Sequence, residues 1–300
     1  MNAVELHEVT KTFGQHMAVD NLSLEVPPGS VYGFIGPNGS GKTTTLRMIM
    51  HIFFPDRGAI RVLGEESSQA ATDRVGYLPE ERGLYKKMKI GEQLRFFAAL
   101  KSISGAEAEQ RIDAWLARVK LSEWKNKRSM ELSKGMQQKI QFLTAVLHDP
   151  DLLILDEPFS GLDPVNVKLL KEIVLELKAA GKTIIFSTHQ MELAEEICDD
   201  ICLINRSRKV LDGSIRNVKR AFGRNAVALR FEGGDGVLDD RTLVSSVKRF
   251  SDSVEVLLAE NGDAQDLLQR LVATGAIIGR FEMIEPSLHD IFIEKVSETV

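Results

Sequence analysis

Cysteine is nearly absent: Cys198 and Cys202 are the only two among 300 residues. Their spacing matches neither a metal-binding nor a redox motif, so both are expected to be reduced structural thiols. Long apolar runs are missing as well. No stretch approaches the roughly 20 continuous apolar residues that a membrane-spanning helix needs. The N-terminal MNAVELHEVTKTFG has early acids and no apolar signal segment, which predicts a cytoplasmic chain. Excess positive charge is lacking too. The formal charge is −5, and residues 221–300 hold eight Lys/Arg against fourteen Asp/Glu. An acidic C-terminal piece is poorly suited to DNA or anionic lipid, so no nucleic-acid partner is expected. The basic run Lys125-Asn126-Lys127-Arg128 has no interleaved aromatics and reads as solvated surface. No internal repeat or low-complexity segment is present. What remains is ordinary for a globular protein, with 43% apolar and 27% charged residues and a length suited to about two domains.

Against that background, residues 31–47, VYGFIGPNGSGKTTTLR, stand out. A short apolar run, Val31 to Ile35, enters the loop Gly36-Pro37-Asn38-Gly39-Ser40-Gly41, and Lys42, Thr43 and Thr44 open a helix-compatible stretch. Phosphate oxygens are bound mainly by backbone N–H groups, and a loop wraps closely round them only where Cβ atoms are missing. Gly36, Gly39 and Gly41 are therefore expected to supply that room. Lys42 would place an ammonium on the β and γ phosphates, Thr43 a hydroxyl on Mg²⁺, and the helix its positive end toward the anion. This is the P-loop, or Walker A, pattern.

The rest of the chain fits an α/β architecture. Residues 2–26 alternate in two runs, Val4–Val9 and Leu22–Val26, separated by Thr12-Phe13-Gly14, and predict a small antiparallel sheet. From about Gly91 to Leu147 the apolar period becomes 3.6, as in a helical insertion. The apolar strands at 152–155 and 183–186, with a helix between them, predict a parallel sheet covered on both faces. After Asp212-Gly213-Ser214, strands at 226–231, 253–258 and 276–282 around a helix at 264–274 suggest a separate α+β domain. The expected boundaries are 1–215, with a helical subdomain at about 84–150, and 216–300.

The strand 152–155 ends in Asp156-Glu157-Pro158, the expected companion of a P-loop: Asp156 can hold the Mg²⁺ shell, and Glu157 can orient and deprotonate the attacking water. Between the two lies Leu132-Ser133-Lys134-Gly135-Met136-Gln137, opening a helix read at 138–147. With these motifs in this order, residues 1 to about 215 resemble the ATP-binding cassette (ABC) superfamily. GPNGSGKTT is similar to Walker A, LSKGMQ to the family signature and LLILDEP to Walker B. SGLD resembles the D-loop. Phe13 resembles the aromatic that stacks on adenine, Glu80 stands in the Q-loop position, and His189 in FSTHQ resembles the switch histidine that senses the γ-phosphate. The other five histidines show no such constellation and read as surface or structural.

The resemblance implies an ATPase using ATP and Mg²⁺, with Glu157, His189 and Glu80 catalytic and Thr43, Asp156 and Glu80 around the metal. It further implies a head-to-tail dimer, by expectation of two identical copies. Ser133 and Gly135 of one copy would then complete the nucleotide site of the other. Two departures stand out. Glu80 replaces the usual Gln and adds negative charge beside the phosphates, while Lys134 and Met136 replace the usual Gly and Gln of the signature. The segment 77–85, YLPEERGLY, and 285–292, EPSLHDIF, resemble cassettes of the bacterial and archaeal sodium- and drug-exporter type. There the permease is a separate polypeptide, so the expected function is the ATPase subunit of an exporter, peripheral on the cytoplasmic face of the membrane. An importer ATPase shares every catalytic motif. A non-transport ATPase acting on nucleic acid or ribosomes is disfavoured by the acidic tail and by the lack of a long coiled-coil insertion.

Overall fold

In the computed structural model, residues 1–66, 73–81, 83–222, 226–259 and 261–297 are described. The chain divides into two compact units, Met1–Gly213 and Ser214–Val300.

The first unit opens with β1 (Val4–Phe13) and β2 (His16–Val26), an antiparallel hairpin paired from Val4↔Val26 to Phe13↔His16 with register shifts between Leu6 and Thr12. Thr12 and Phe13, expected in the connecting loop, instead continue β1, because Gly14 at φ +59° turns the chain within two residues. β3 (Val31–Ile35) follows and is buried throughout, then α1 (Lys42–Ile49). β4 (Arg57–Val62) returns to pair antiparallel with β1, and β5 (Glu65–Glu66) lies at that sheet's edge. β6 (Val75–Leu78) leads into the helical part, made of α2 (Ile90–Leu100), α3 (Gly105–Arg118) and α4 (Lys134–Val146). α4 begins four residues earlier than its apolar period suggests. Ser133 caps it, accepting a hydrogen bond from the Met136 amide at 3.3 Å, so the polar turn Lys134–Gln137 is already helical. The Lys125 ammonium of the basic run is committed to the carboxylates of Glu109, at 2.9 Å, and Asp113.

β7 (Leu152–Asp156), α5 (Pro164–Ala179), β8 (Thr183–Thr188), α6 (Met191–Ile197), β9 (Asp200–Asn205) and β10 (Arg208–Ser214) complete this unit. α5 shows a sequence-encoded start: Asp163 accepts from the Asn166 amide at 3.0 Å and Pro164 occupies the first helical position. The central sheet has the order β10-β9-β3-β8-β7-β6. β9, β3, β8, β7 and β6 run parallel, and β10 returns beside β9 through Arg206-Ser207, both at positive φ. The core lies between the two sheets, where Val4, Leu6 and Val62 share one apolar cluster with Tyr32, Phe34, Leu46 and Ile154. Cys202 is fully buried, and burial pushes the thiols of both cysteines far up, as expected of structural residues. No helix among the described residues is long and apolar enough to cross a membrane.

The second unit comprises α7 (Ile215–Ala221), β11 (Ala226–Glu232), β12 (Val244–Arg249), β13 (Val254–Leu258), α8 (Ala264–Ala273), β14 (Ile277–Ile284) and α9 (Leu288–Ser297). Its strands form one antiparallel sheet in the order β12-β13-β11-β14. Val227, Leu229 and Val256 pack on Leu267 and Leu271 of α8. β12 and α9 were not legible as elements. VSSVKR has only two apolar positions, and α9 begins inside the EPSLHDIF stretch, at Leu288.

Candidate functional site

The loop between β3 and α1 is packed closely against neighbouring backbone. A Cβ on Gly36, at φ +156°, would lie 2.1 Å from the Ile204 carbonyl oxygen, and one on Gly41, at φ +107°, 2.3 Å from that of Ala18. At these two positions neighbouring backbone already requires glycine, a constraint the sequence reading did not include. Gly39, at φ +76°, faces open space within 4 Å. α1 has no side-chain cap on its first turn, so its N–H groups are left for an anion. The Ser40 hydroxyl beneath is buried with no hydrogen-bond partner.

Lys42 is 6% exposed and folds back along the loop, donating to the carbonyls of Gly36 at 2.8 Å and Pro37 at 3.1 Å. Burial depresses its pKa, while Glu157, Asp156 and Glu80 push it back up. The ammonium is thus desolvated, faced by three carboxylates and left with one proton to share.

These carboxylates come from two places. Asp156 ends β7 and is fully buried. One of its oxygens accepts from the Ser187 hydroxyl, and the other, Oδ2, has no hydrogen-bond partner. Glu157 follows at φ +49°, a left-handed conformation that costs a non-glycine residue about 1–2 kcal/mol. The end of β8 holds it there: its amide donates to the Ser187 carbonyl at 3.1 Å and to the Ser187 hydroxyl at 3.2 Å. Its Oε1 accepts from the His189 amide at 3.0 Å and lies 2.8 Å from His189 Nδ1. With Glu157 ionised, that nitrogen carries the proton. Glu157 and His189 were assigned separately from sequence, and the structure joins them as one hydrogen-bonded pair.

Phe13, Asn38, Gly39, Gly41, Lys42, Thr43, Thr44, Glu80 and Glu157 line one open cleft of about 370 Å³, together with His16 and Ala18. Phe13 is 42% exposed at the mouth, edge-on to Phe53 with centroids 5.3 Å apart. His16, expected to be a surface or structural residue, is exposed and pairs with Phe13 in the hairpin at the edge of this cleft. Ser133 and Gly135 do not line this cleft.

Two further residues escaped the sequence reading. Gln141 of α4 donates to the carbonyls of Pro79 at 3.1 Å and Glu81 at 2.9 Å, and Gln138 donates to that of Pro158 at 3.2 Å. The helix that Ser133 opens therefore fastens the segments carrying Glu80 and Glu157. Buried glutamines within an otherwise apolar helix face were the available signal. Polar Ser187 and Thr188 at the end of an apolar strand were another.

Chemically, one wall of the cleft offers amide donors, an ammonium and hydroxyls, and the other offers carboxylates. No cluster of three or more His, Cys, Asp or Glu among the described residues could hold a metal alone. An orphaned, buried Asp156 oxygen is costly unless a cation or its water meets it. That donor set fits Mg²⁺ arriving on nucleotide phosphates, which keeps few protein ligands.

Comparison with known proteins agrees with this geometry. The ABC transporter family profile matches residues 19–160, and the profile described as ATP-binding protein DrrA1-3-like, C-terminal domain, matches residues 213–296. The chain is 45% identical to the ABC transporter ATP-binding protein YhaQ of Bacillus subtilis, over 97% of each chain. It is 36% identical to Nod factor export ATP-binding protein I of Paraburkholderia xenovorans, over 97% of this chain and 96% of that one. A solved ATP-binding subunit of an ABC transporter superposes with a TM-score of 0.69 at 32% identity, covering 74% of this chain and 93% of that one. The chain belongs to the ABC transporter ATP-binding proteins, in the branch that carries the DrrA1-3-like C-terminal domain.

Proposed function

We propose that this chain is the nucleotide-binding subunit of an ABC exporter, which hydrolyses ATP to drive transport through separate permease subunits. The observation that carries the catalytic part is the buried Glu157 held by His189 across the cleft from Lys42. In this reading Phe13 stacks on the adenine, residues 36–44 hold the phosphates, and Thr43, Asp156 and Glu80 surround Mg²⁺. The metal, when bound, neutralises charge that develops on the phosphates. Glu157 accepts a proton from the attacking water as the water oxygen bonds to the γ-phosphorus and the bond to ADP breaks. His189, donating through Nδ1, fixes the direction of that carboxylate. His189→Ala should lower turnover about 100-fold, the usual cost of a mispositioned catalytic group, with ATP affinity changed less than about threefold. Single-turnover phosphate release and nucleotide titration separate the two. Lost affinity at normal turnover would make the histidine a binding residue only.

Ser133 and Gly135 are assigned to the nucleotide of a second copy in a head-to-tail dimer. Their place outside the chain's own cleft supports this, and so does Gly135. A Cβ there would meet nothing closer than 3.5 Å, so internal packing does not require glycine, whereas close approach of an external phosphate would.

Export is supported by the Nod factor export relative. For the permease contact, the helical part offers an aromatic patch. Tyr85 is 51% exposed, Phe96 41% and Leu100 62%, and Tyr85 and Phe96 pack on Phe97 with centroids 6.5 and 5.5 Å apart. Such a patch marks an interaction site, and its neighbour Gln93 binds the Tyr85 amide at 2.9 Å. Tyr85→Lys/Phe96→Lys should abolish co-purification with the permease while ATP turnover of the isolated subunit stays within about twofold, as for surface changes away from the cleft. In inside-out membrane vesicles holding the complex, ATP should drive accumulation of substrate. Accumulation only in right-side-out vesicles would make it an importer.

A further inference from the structure

The two edges of the C-terminal sheet differ. β12 is blunted: Arg241 donates to the Ser245 carbonyl at 3.1 Å, Lys248 is paired with Asp290, and Arg249 with Asp235 at 3.5 Å. Lysine and capped carbonyls are common protections of a strand edge. β14, at the opposite edge, pairs only with β11 among the described residues, and no other backbone hydrogen bond is recorded for residues 277–284. Large apolar side chains stand in solvent near both its ends, Ile277 at 70% exposure and Met283 at 42%. An open edge of this kind is a template for another strand.

The charges on this edge favour one particular strand. Arg280 and Glu282 lie two apart, on one face, and meet each other at 2.9 Å. In antiparallel pairing about a two-fold axis normal to the sheet, opposite residues must share a face, so the axis must pass through a residue. Centred on Arg280, the register sets two arginines opposite each other. Centred on Glu282, it sets two glutamates opposite. Centred on Phe281, it sets Arg280 opposite the partner subunit's Glu282 and Glu282 opposite the partner subunit's Arg280, giving four alternating charges. Opposite charges directly across a ladder stabilise it and like charges destabilise it. A bulge between Arg230 and Phe231 of β11 falls at Gly279, which ends the regular pairing there and confines the contact to a short stretch around Phe281.

We infer that β14 pairs with β14 of a second copy of this chain, centred on Phe281, joining the two C-terminal sheets into one. This contact needs no nucleotide, unlike the cassette dimer assigned above. It therefore keeps two copies together after ATP is hydrolysed, at a high effective concentration for the next closure.

The test uses the full chain without nucleotide, in sedimentation equilibrium at low salt. The parent should show a monomer–dimer equilibrium. Arg280→Glu and Glu282→Arg should each weaken it about tenfold or more, since each reversal creates two like-charge pairs per dimer. The double variant R280E/E282R should return the dissociation constant to within about threefold of the parent, because the charges are again complementary. Arg280 and Glu282 are both exposed, and thermal unfolding confirms that each variant is folded. A parent that stays monomeric without nucleotide overturns the inference, as does a double variant no better than the singles. Neither result touches the ATP-dependent dimer, which is read separately by adding ATP to a hydrolysis-deficient variant.

Discussion

Glu157→Gln is expected to lower ATP turnover at least about 100-fold while leaving ATP binding intact. The magnitude follows from the usual worth of a positioned general base, about 10² to 10⁴ in rate. Retention of binding follows from the geometry. Glu157 Oε1 accepts from the His189 amide and lies against Nδ1, and an amide oxygen in the same place accepts both bonds. The left-handed backbone at residue 157 is held by amide contacts to Ser187, which do not depend on the side chain. The variant should also bind nucleotide slightly better, since one of the three carboxylates facing Lys42 loses its charge. With hydrolysis blocked and binding preserved, ATP should trap the head-to-tail dimer. Phosphate release and sedimentation velocity with ATP and Mg²⁺ check both halves. Turnover at the parental rate would remove Glu157 as the base and shift attention to Glu80, the other carboxylate lining the cleft.

Gly36→Ala should destabilise the cassette by about 3 kcal/mol or more and abolish nucleotide binding. The added methyl would sit 2.1 Å from the Ile204 carbonyl oxygen of β9, and Gly36 directly follows β3. Neither can move without opening the β3–β9 pairing, which includes Ile35↔Leu203 immediately before the clash. Residue 36 also sits at φ +156°, where an L side chain adds strain of about 1–3 kcal/mol. For a unit of this size, about 3 kcal/mol corresponds to a fall of roughly 6–12 °C in the melting temperature. Gly39→Ala is the control: it faces open space and pays only the left-handed backbone, about 1–2 kcal/mol. A calorimetric scan without nucleotide should therefore rank Gly36→Ala well below Gly39→Ala. Equal effects would mean that the loop, rather than its contact with β9, decides the stability.

The sheets, the helical insertion and nearly every residue of the cleft could be read from local patterns, because each pattern has a local cause. A run such as LLILD must be buried on both faces, and DP before an apolar period starts a helix. GPNGSGKT leaves amides open at a helix start wherever it occurs. Less legible were elements defined by their neighbours. β12 needs β13 to become a strand, and Phe13 joins β1 only because His16 lies across from it. Gln138 and Gln141 are buried, and nothing local names what they bind. Their carbonyl partners at Pro158, Pro79 and Glu81 lie far away in the chain.

By itself the sequence determined the family, the donor set of the cleft and the absence of a membrane-length apolar run, since residue type and spacing along one segment suffice for these. Only the tertiary structure decided which glycine serves whom: Gly36 and Gly41 yield to the carbonyls of Ile204 and Ala18, and Gly39 alone of the three opens on empty space. It also joined Glu157 to His189, 32 residues apart, and left Ser133 and Gly135 out of their own chain's cleft. Contacts between segments distant in sequence depend on the strand order of the sheet. The order β9-β3-β8-β7 brings the ends of β3, β7 and β8 together, and no local pattern encodes it.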